Sequence, residues 1–91
     1  MNTLFLLMAQ YNGLAVIPLD RVCEDYFRHL TVDQFQRKAN AGTIQIPITR
    51  MEAGTQKSAK GIFLTDLAKY IDERHAAAVK EEAQLNGRRL R

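Results

Sequence analysis

The apolar positions of the chain recur at two spacings, and the change from one to the other marks out its elements. Over residues 3–12, Leu4, Leu7, Met8 and Tyr11 keep the spacing of one buried helical face, and the run stops at Gly13. Phe5 and Leu6 lie off that face. The helix is therefore apolar nearly all round and needs cover on more than one side, from the rest of the domain or from a second copy of the chain. A short run with two β-branched residues follows at 15–17, and Pro18 suits the first position of a second helix. In that helix Leu19, Val22, Cys23, Tyr26 and Phe27 face one way, and Asp20, Arg21, Glu24, Asp25 and Arg28 the other.

A third helix opens at Thr31, where Thr31-Val32-Asp33-Gln34 holds the residues of a capping box. It ends at Gly42. Its apolar stripe is narrow (Val32, Phe35, Ala39), whereas Asp33, Gln34, Gln36, Arg37, Lys38 and Asn40 are polar, so most of its circumference faces outward. From Thr43 the spacing changes to two. Ile44, Ile46 and Ile48 alternate with Gln45, Pro47 and Thr49, a strand with one buried face whose proline suits a sheet edge. A second strand is expected over 61–64, joined to the first by a polar stretch, 52–60, rich in turn formers. Together they read as a hairpin with a long tip. Thr65 is expected to cap the last helix, which turns Leu64, Leu67, Ala68 and Ile71 inward and extends beyond the core as far as Glu82. Asn86-Gly87 is expected to stop it, leaving a charged tail of Arg88, Arg89, Leu90 and Arg91.

Length and composition narrow the function. The 91 residues, 46% hydrophobic, make one modest core, read as a single domain over 1–85 with a basic tail over 86–91. There is little room for a deep enzyme cleft. The single cysteine forms no intrachain disulfide, which favours a reducing compartment. The apolar run at 4–9 is far short of the ~20 residues a membrane span needs. No basic residue precedes Arg21, so the charged start of a secretory signal is missing, and the expected location is cytoplasmic.

Charge is distributed unevenly. Residues 18–30 carry a net −1 and the last helix, 65–83, a net −2, whereas the third helix carries +1, the hairpin +2 and the tail +3. Gathering cations on one helix and one hairpin is what a small duplex-binding domain requires, because Lys and Arg must lie together to displace counterions from phosphates. The element order agrees. A mostly helical α+β chain with two closely joined helices, the second polar and basic, and then a basic hairpin has the layout of a winged helix-turn-helix. On that layout Arg37 and Lys38 suit guanine or phosphate, Gln34, Gln36 and Asn40 suit adenine, and Arg50, Lys57, Ser58 and Lys60 hold the wing on the backbone or in the minor groove. One such module reads few bases, which predicts a homodimer or a DNA-assembled oligomer. Candidate contacts are Leu4, Phe5, Leu7, Met8 and Tyr11 on the first helix and the last helix around Tyr70 to Leu85.

Other chemistries fit poorly. Gly54, Lys57 and Ser58 lack the spacing of a phosphate-binding loop. Asp25 and His29 form a lone i, i+4 pair, too few ligands for a metal, and His75 is read as part of a solvated flank. Cys23 has Leu19, Val22, Tyr26 and Phe27 as stripe neighbours and so reads as a core thiol. Ser58, the only serine, has no base nearby. We expect no enzyme, cofactor, metal or small-molecule substrate.

The strings Met1-Asn2-Thr3-Leu4-Phe5-Leu6-Leu7-Met8-Ala9-Gln10-Tyr11, Val16-Ile17-Pro18-Leu19, Asp25-Tyr26-Phe27 and Gln56-Lys57-Ser58-Ala59-Lys60-Gly61 closely resemble the pyocin activator (PrtN) family of pseudomonads, over almost the whole chain. The resemblance implies a bacterial activator that binds promoter elements of pyocin genes and switches on these bacteriocins after DNA damage; RNA polymerase is a candidate further partner. It places the Gln56-Lys57-Ser58-Ala59-Lys60-Gly61 string in the wing. Residues 16–70 also resemble, in pattern, the excisionase and MerR type of winged helix. Two rival readings remain at this point: an excisionase-like bender of DNA, and an adaptor whose apolar first helix and acidic last helix bind a protein partner while the basic hairpin is merely solvated.

Overall fold

The computed structural model describes residues 2–54 and 59–89, the last two in backbone only. Its elements are α1 (Thr3–Gln10), β1 (Val16–Pro18), α2 (Leu19–Tyr26), α3 (Val32–Asn40), β2 (Thr49–Arg50), β3 (Lys60–Phe63) and α4 (Leu64–Arg89). Four helices accompany a small antiparallel sheet of order β1-β3-β2, on which α2 and α4 pack while α1 rests on α4 and α3 on α2, a mixed α+β arrangement. In it Ile17 pairs with Ile62, and both are fully buried.

Asn2 caps α1 by accepting from the Phe5 N–H at 2.8 Å. Leu7 and Tyr11 are buried and Leu4 packs on the core at its edge. Met8, expected on that face, is 47% exposed, as are Phe5 and Leu6 at 56% and 52%. Leu7 and Tyr11 consequently offer no surface to a second copy, and the apolar surface that α1 does offer is Phe5, Leu6 and Met8. Pro18 stands one place earlier than expected, at the N-cap of α2. Leu19, Val22, Cys23 and Phe27 fill the core from α2 and its C-cap. Tyr26 departs from that stripe: it is partly exposed, and its hydroxyl donates to the Gln10 side chain at the end of α1.

The expected strand from Thr43 forms hydrogen-bonded pairs only at Thr49–Arg50. Its alternation is nevertheless real, with Ile44 and Ile46 buried and Gln45 and Pro47 exposed. Pairing fails there because Pro47 has no N–H, and the Ile46 N–H is turned back onto the Ile44 carbonyl at 2.9 Å. The start of α4 also differs. Leu64 rather than Thr65 opens the helix, and its N–H, one of the end groups without an intrahelical acceptor, donates to the Ala15 carbonyl at 2.8 Å. Nor does Asn86-Gly87 end it. Gly87 is not among the positive-φ glycines, the Asn86 amide donates to Glu82 Oε1 at 2.7 Å, and the helix continues into Arg88 and Arg89, which were expected in the tail.

Two contacts fix the ends of the fold. The first turns of α4 pack on α1, with the Thr3 hydroxyl donating to the Asp72 carboxylate. Around Tyr11 the hydroxyl donates to Asp25 at 2.5 Å and the Arg21 guanidinium lies 5.0 Å from the ring centroid. Burial, with the Asp25 carboxylate second, pushes the Tyr11 phenol well above its ordinary range. A phenol whose pKa is raised by folding contributes stability that is complete below the unfolded value of about 10 and is lost as pH rises beyond it. Urea unfolding should therefore show stability falling above about pH 10, and Tyr11→Phe should shrink that loss; equal losses in both proteins would contradict the assignment.

At Gly61 the sheet is tight. An added Cβ would lie 2.5 Å from the Ile17 carbonyl oxygen and 2.6 Å from Val16 Cγ1, backbone and β-branched groups that cannot swing aside. Gly61→Ala is expected to destabilise the fold by about 3 kcal/mol in thermal unfolding, whereas Gly87→Ala, with open space around it, should not destabilise it. Similar melting temperatures for the two variants would refute the close approach.

Candidate nucleic-acid interface

The site begins with how α3 is held. Phe35 is fully buried, and its ring lies 4.8 Å from that of Phe27, which in turn lies 5.7 Å from Tyr70 on α4. Val32 and Ala39 pack beside it at the core edge. With one aromatic inserted and the helix period of about 100° per residue, the opposite side must carry Asp33, Arg37 and Asn40, and all three are exposed. Gln36 and Lys38 fall on opposite flanks, Gln36 half-buried and Lys38 exposed.

Both ends of α3 are satisfied locally. The capping box forms as expected: Gln34 N–H donates to Thr31 Oγ1 at 3.1 Å, and Thr31 N–H donates to Gln34 Oε1 at 3.0 Å. Gln34 thus holds the cap. Reading adenine with both amide groups would require its Oε1 to leave the Thr31 N–H. At the other end Gly42, at φ +80, turns the chain so that the Ile44 N–H reaches back to the Lys38 carbonyl at 3.1 Å. Arg37 and Lys38 lie in that last turn, where their charge complements the helix dipole.

The second group of cations lies at the base of the hairpin. The β2–β3 register sets Arg50 directly opposite Lys60, one exposed and the other half-buried. Directly paired residues share a face of the ladder with Cβ atoms roughly 5 Å apart, and like charges there repel. Sequence spacing placed both residues in the hairpin but did not show that they face each other, because that depends on register. Lys57 and Ser58 lie outside the described residues.

Among the described residues the remaining chemistry-bearing side chains do not converge. Cys23 is buried, and that burial, with Asp20 nearby, pushes its thiol above the ordinary range, which disfavours the nucleophilic thiolate. Among the described residues no group of three or more His, Cys, Asp or Glu is placed to hold a metal. Also among them, no helix is long and apolar enough to cross a membrane. Of the residues expected at an oligomer contact, Tyr70 is half-buried and lines an apolar groove of about 260 Å³ with Tyr26, Phe27, Leu67 and Ile71, with His29 and Arg74 also on its wall. The periodicity did not reveal this groove, since its walls come from two helices far apart in sequence.

No curated protein and no solved structure matches the chain. The family model described as pyocin activator protein PrtN matches residues 3–78, more than four fifths of the sequence. That span takes in every described element as far as the middle of α4. The family is one of transcriptional activators rather than enzymes, and membership implies a part in switching on pyocin genes. The chain belongs to the PrtN family of pyocin activators.

Proposed function

We propose that the protein activates pyocin genes by binding their promoters as a winged helix-turn-helix, with α3 entering the major groove and the β2–β3 hairpin meeting the backbone beside it. The observation that carries this reading is the arrangement of cations around a rigidly held α3. A buried Phe35 leaves Arg37 and Asn40 projecting outward with Lys38 on the flank, and the hairpin that follows opposes Arg50 with Lys60. The order α1-β1-α2-α3-β2-β3, with β3 between β1 and β2, supports it, because a wing needs its hairpin anchored to the strand that precedes the two helices.

Within this reading Arg37 and Asn40 contact base edges, Lys38 and Gln36 flank the groove, and Gln34 serves through its cap. A phosphate seated between Arg50 and Lys60 replaces their mutual repulsion with two charge-assisted contacts. Lys57 and Ser58, read from the sequence alone, add a cation and a hydroxyl for phosphate contacts. The site of action is the bacterial cytoplasm, on the nucleoid. Two or more copies act on adjacent half-sites, with RNA polymerase as the further partner.

Arg37→Ala should weaken binding to a pyocin promoter duplex more than to a scrambled duplex, by about 1–3 kcal/mol in discrimination. Lys60→Met should weaken both alike and reduce the salt slope by about one contact. Without DNA, Lys60→Met should gain a few tenths, ~0.3 kcal/mol, of stability at low salt as the repulsion from Arg50 is removed. Equal losses of Arg37→Ala on both duplexes would remove its base-reading role.

A further inference from the structure

Beyond its packed first turns, α4 is largely uncovered by the other described residues. The contacts to α1 reach Asp72, after which the described side chains through Gly87 are exposed except for a half-buried Ala77. This projection gives the molecule its 56 Å long axis against 30 and 20 Å for the others. Two large apolar residues stand on it in water, Val79 at 55% exposure and Leu85 at 46%.

The projection and the groove lie on one line. At about 100° per residue, Leu67, Ile71, Arg74, Ala78 and Leu85 fall within a narrow arc of α4, and the first three also line the groove beside Tyr26, Phe27 and Tyr70. The same helix face thus presents an apolar groove near its start and an unburied leucine near its end. A protomer cannot fill its own groove with its own Leu85, because both lie on one straight helix.

We propose that two copies of the chain pair antiparallel through α4, each inserting Leu85 into the groove of the other. The inference specifies the interface of the multi-copy reading above and rests on it. When Leu85 of one copy lies level with Leu67 to Ile71 of the other, the two-fold axis falls at residues 76–78, where Ala78, the alanine on the shared arc, lets the helices approach closely. In that register Arg74 of each copy meets Glu81 and Glu82 of the other, so a cation at the rim of the groove faces two carboxylates that precede the inserted leucine. The opposite, parallel arrangement brings Arg74 against Arg74 and leaves both grooves unfilled. An antiparallel pair is therefore selected by charge as well as by shape.

Sedimentation equilibrium of the free protein provides the test. The wild type should show a concentration-dependent dimer, and Leu85→Gln, at an exposed position, should raise the dimer dissociation constant about tenfold or more without lowering the melting temperature of the monomer. Arg74→Glu should weaken the dimer, as should Glu81→Arg with Glu82→Arg, and all three changes together should restore it. Ala78→Cys should oxidise readily to a linked dimer, since the native Cys23 is buried. A dimer indifferent to Leu85→Gln and to the charge swap, but broken by Phe5→Ser with Leu6→Ser, would overturn this interface and leave the multi-copy reading standing. A wild type that is monomeric both free and on a full promoter fragment would overturn both.

Discussion

The insertion of Phe35 between the body of the domain and the ring of Phe27 is the contact on which the rest of the structure depends. It is the one fully buried side chain of α3, and its burial decides which side of that helix water sees. Phe27 sits at the C-cap of α2 and reaches Tyr70 on α4 as well, so one aromatic residue ties three helices together. Without that contact the narrow stripe of Val32 and Ala39 has too little apolar area to hold α3 in one rotational setting. With it, Arg37 and Asn40 have a defined direction, which is what separates a reading helix from a merely solvated one.

The sheet serves the same end by a different constraint. Gly61 lets β3 lie close against β1, and Ile17 and Ile62 close the core across that pair. The same strand carries Lys60 one residue earlier, where it faces Arg50. Tight apolar pairing at one end of β3 therefore holds two cations together at the other, an arrangement unfavourable in isolation and favourable with an anion between them. Fold and candidate function meet on four residues of chain.

Much of this could be read along the sequence, and what could not has a common cause. Helical spacing gave all four helices, the capping box at Thr31 and the burial of Phe35, because these depend on neighbours within one or two turns. Alternation found the buried faces of Ile44 and Ile46 but overextended the strand, since Pro47 interrupts hydrogen bonding without disturbing the side-chain pattern. Spacing alone puts Tyr26 and Met8 on buried faces, whereas the structure exposes both, because the orientation of α1 against its neighbours is a tertiary matter. Likewise, Asn86-Gly87 has the composition of a helix stop, yet its backbone stays helical. For the candidate site, composition supplied the cations of α3 and the hairpin. The opposition of Arg50 and Lys60, and the groove beside Tyr70, needed register and packing.

The central claim is that these cations face duplex DNA and that α3 reads its sequence. Its most direct test is the affinity of the full chain for a pyocin promoter duplex and for a scrambled duplex of equal length, each across a series of salt concentrations. The account predicts steep salt dependence on both and a preference of about 1,000-fold or more for the promoter. Equal affinity for the two duplexes, or binding to neither, would contradict it.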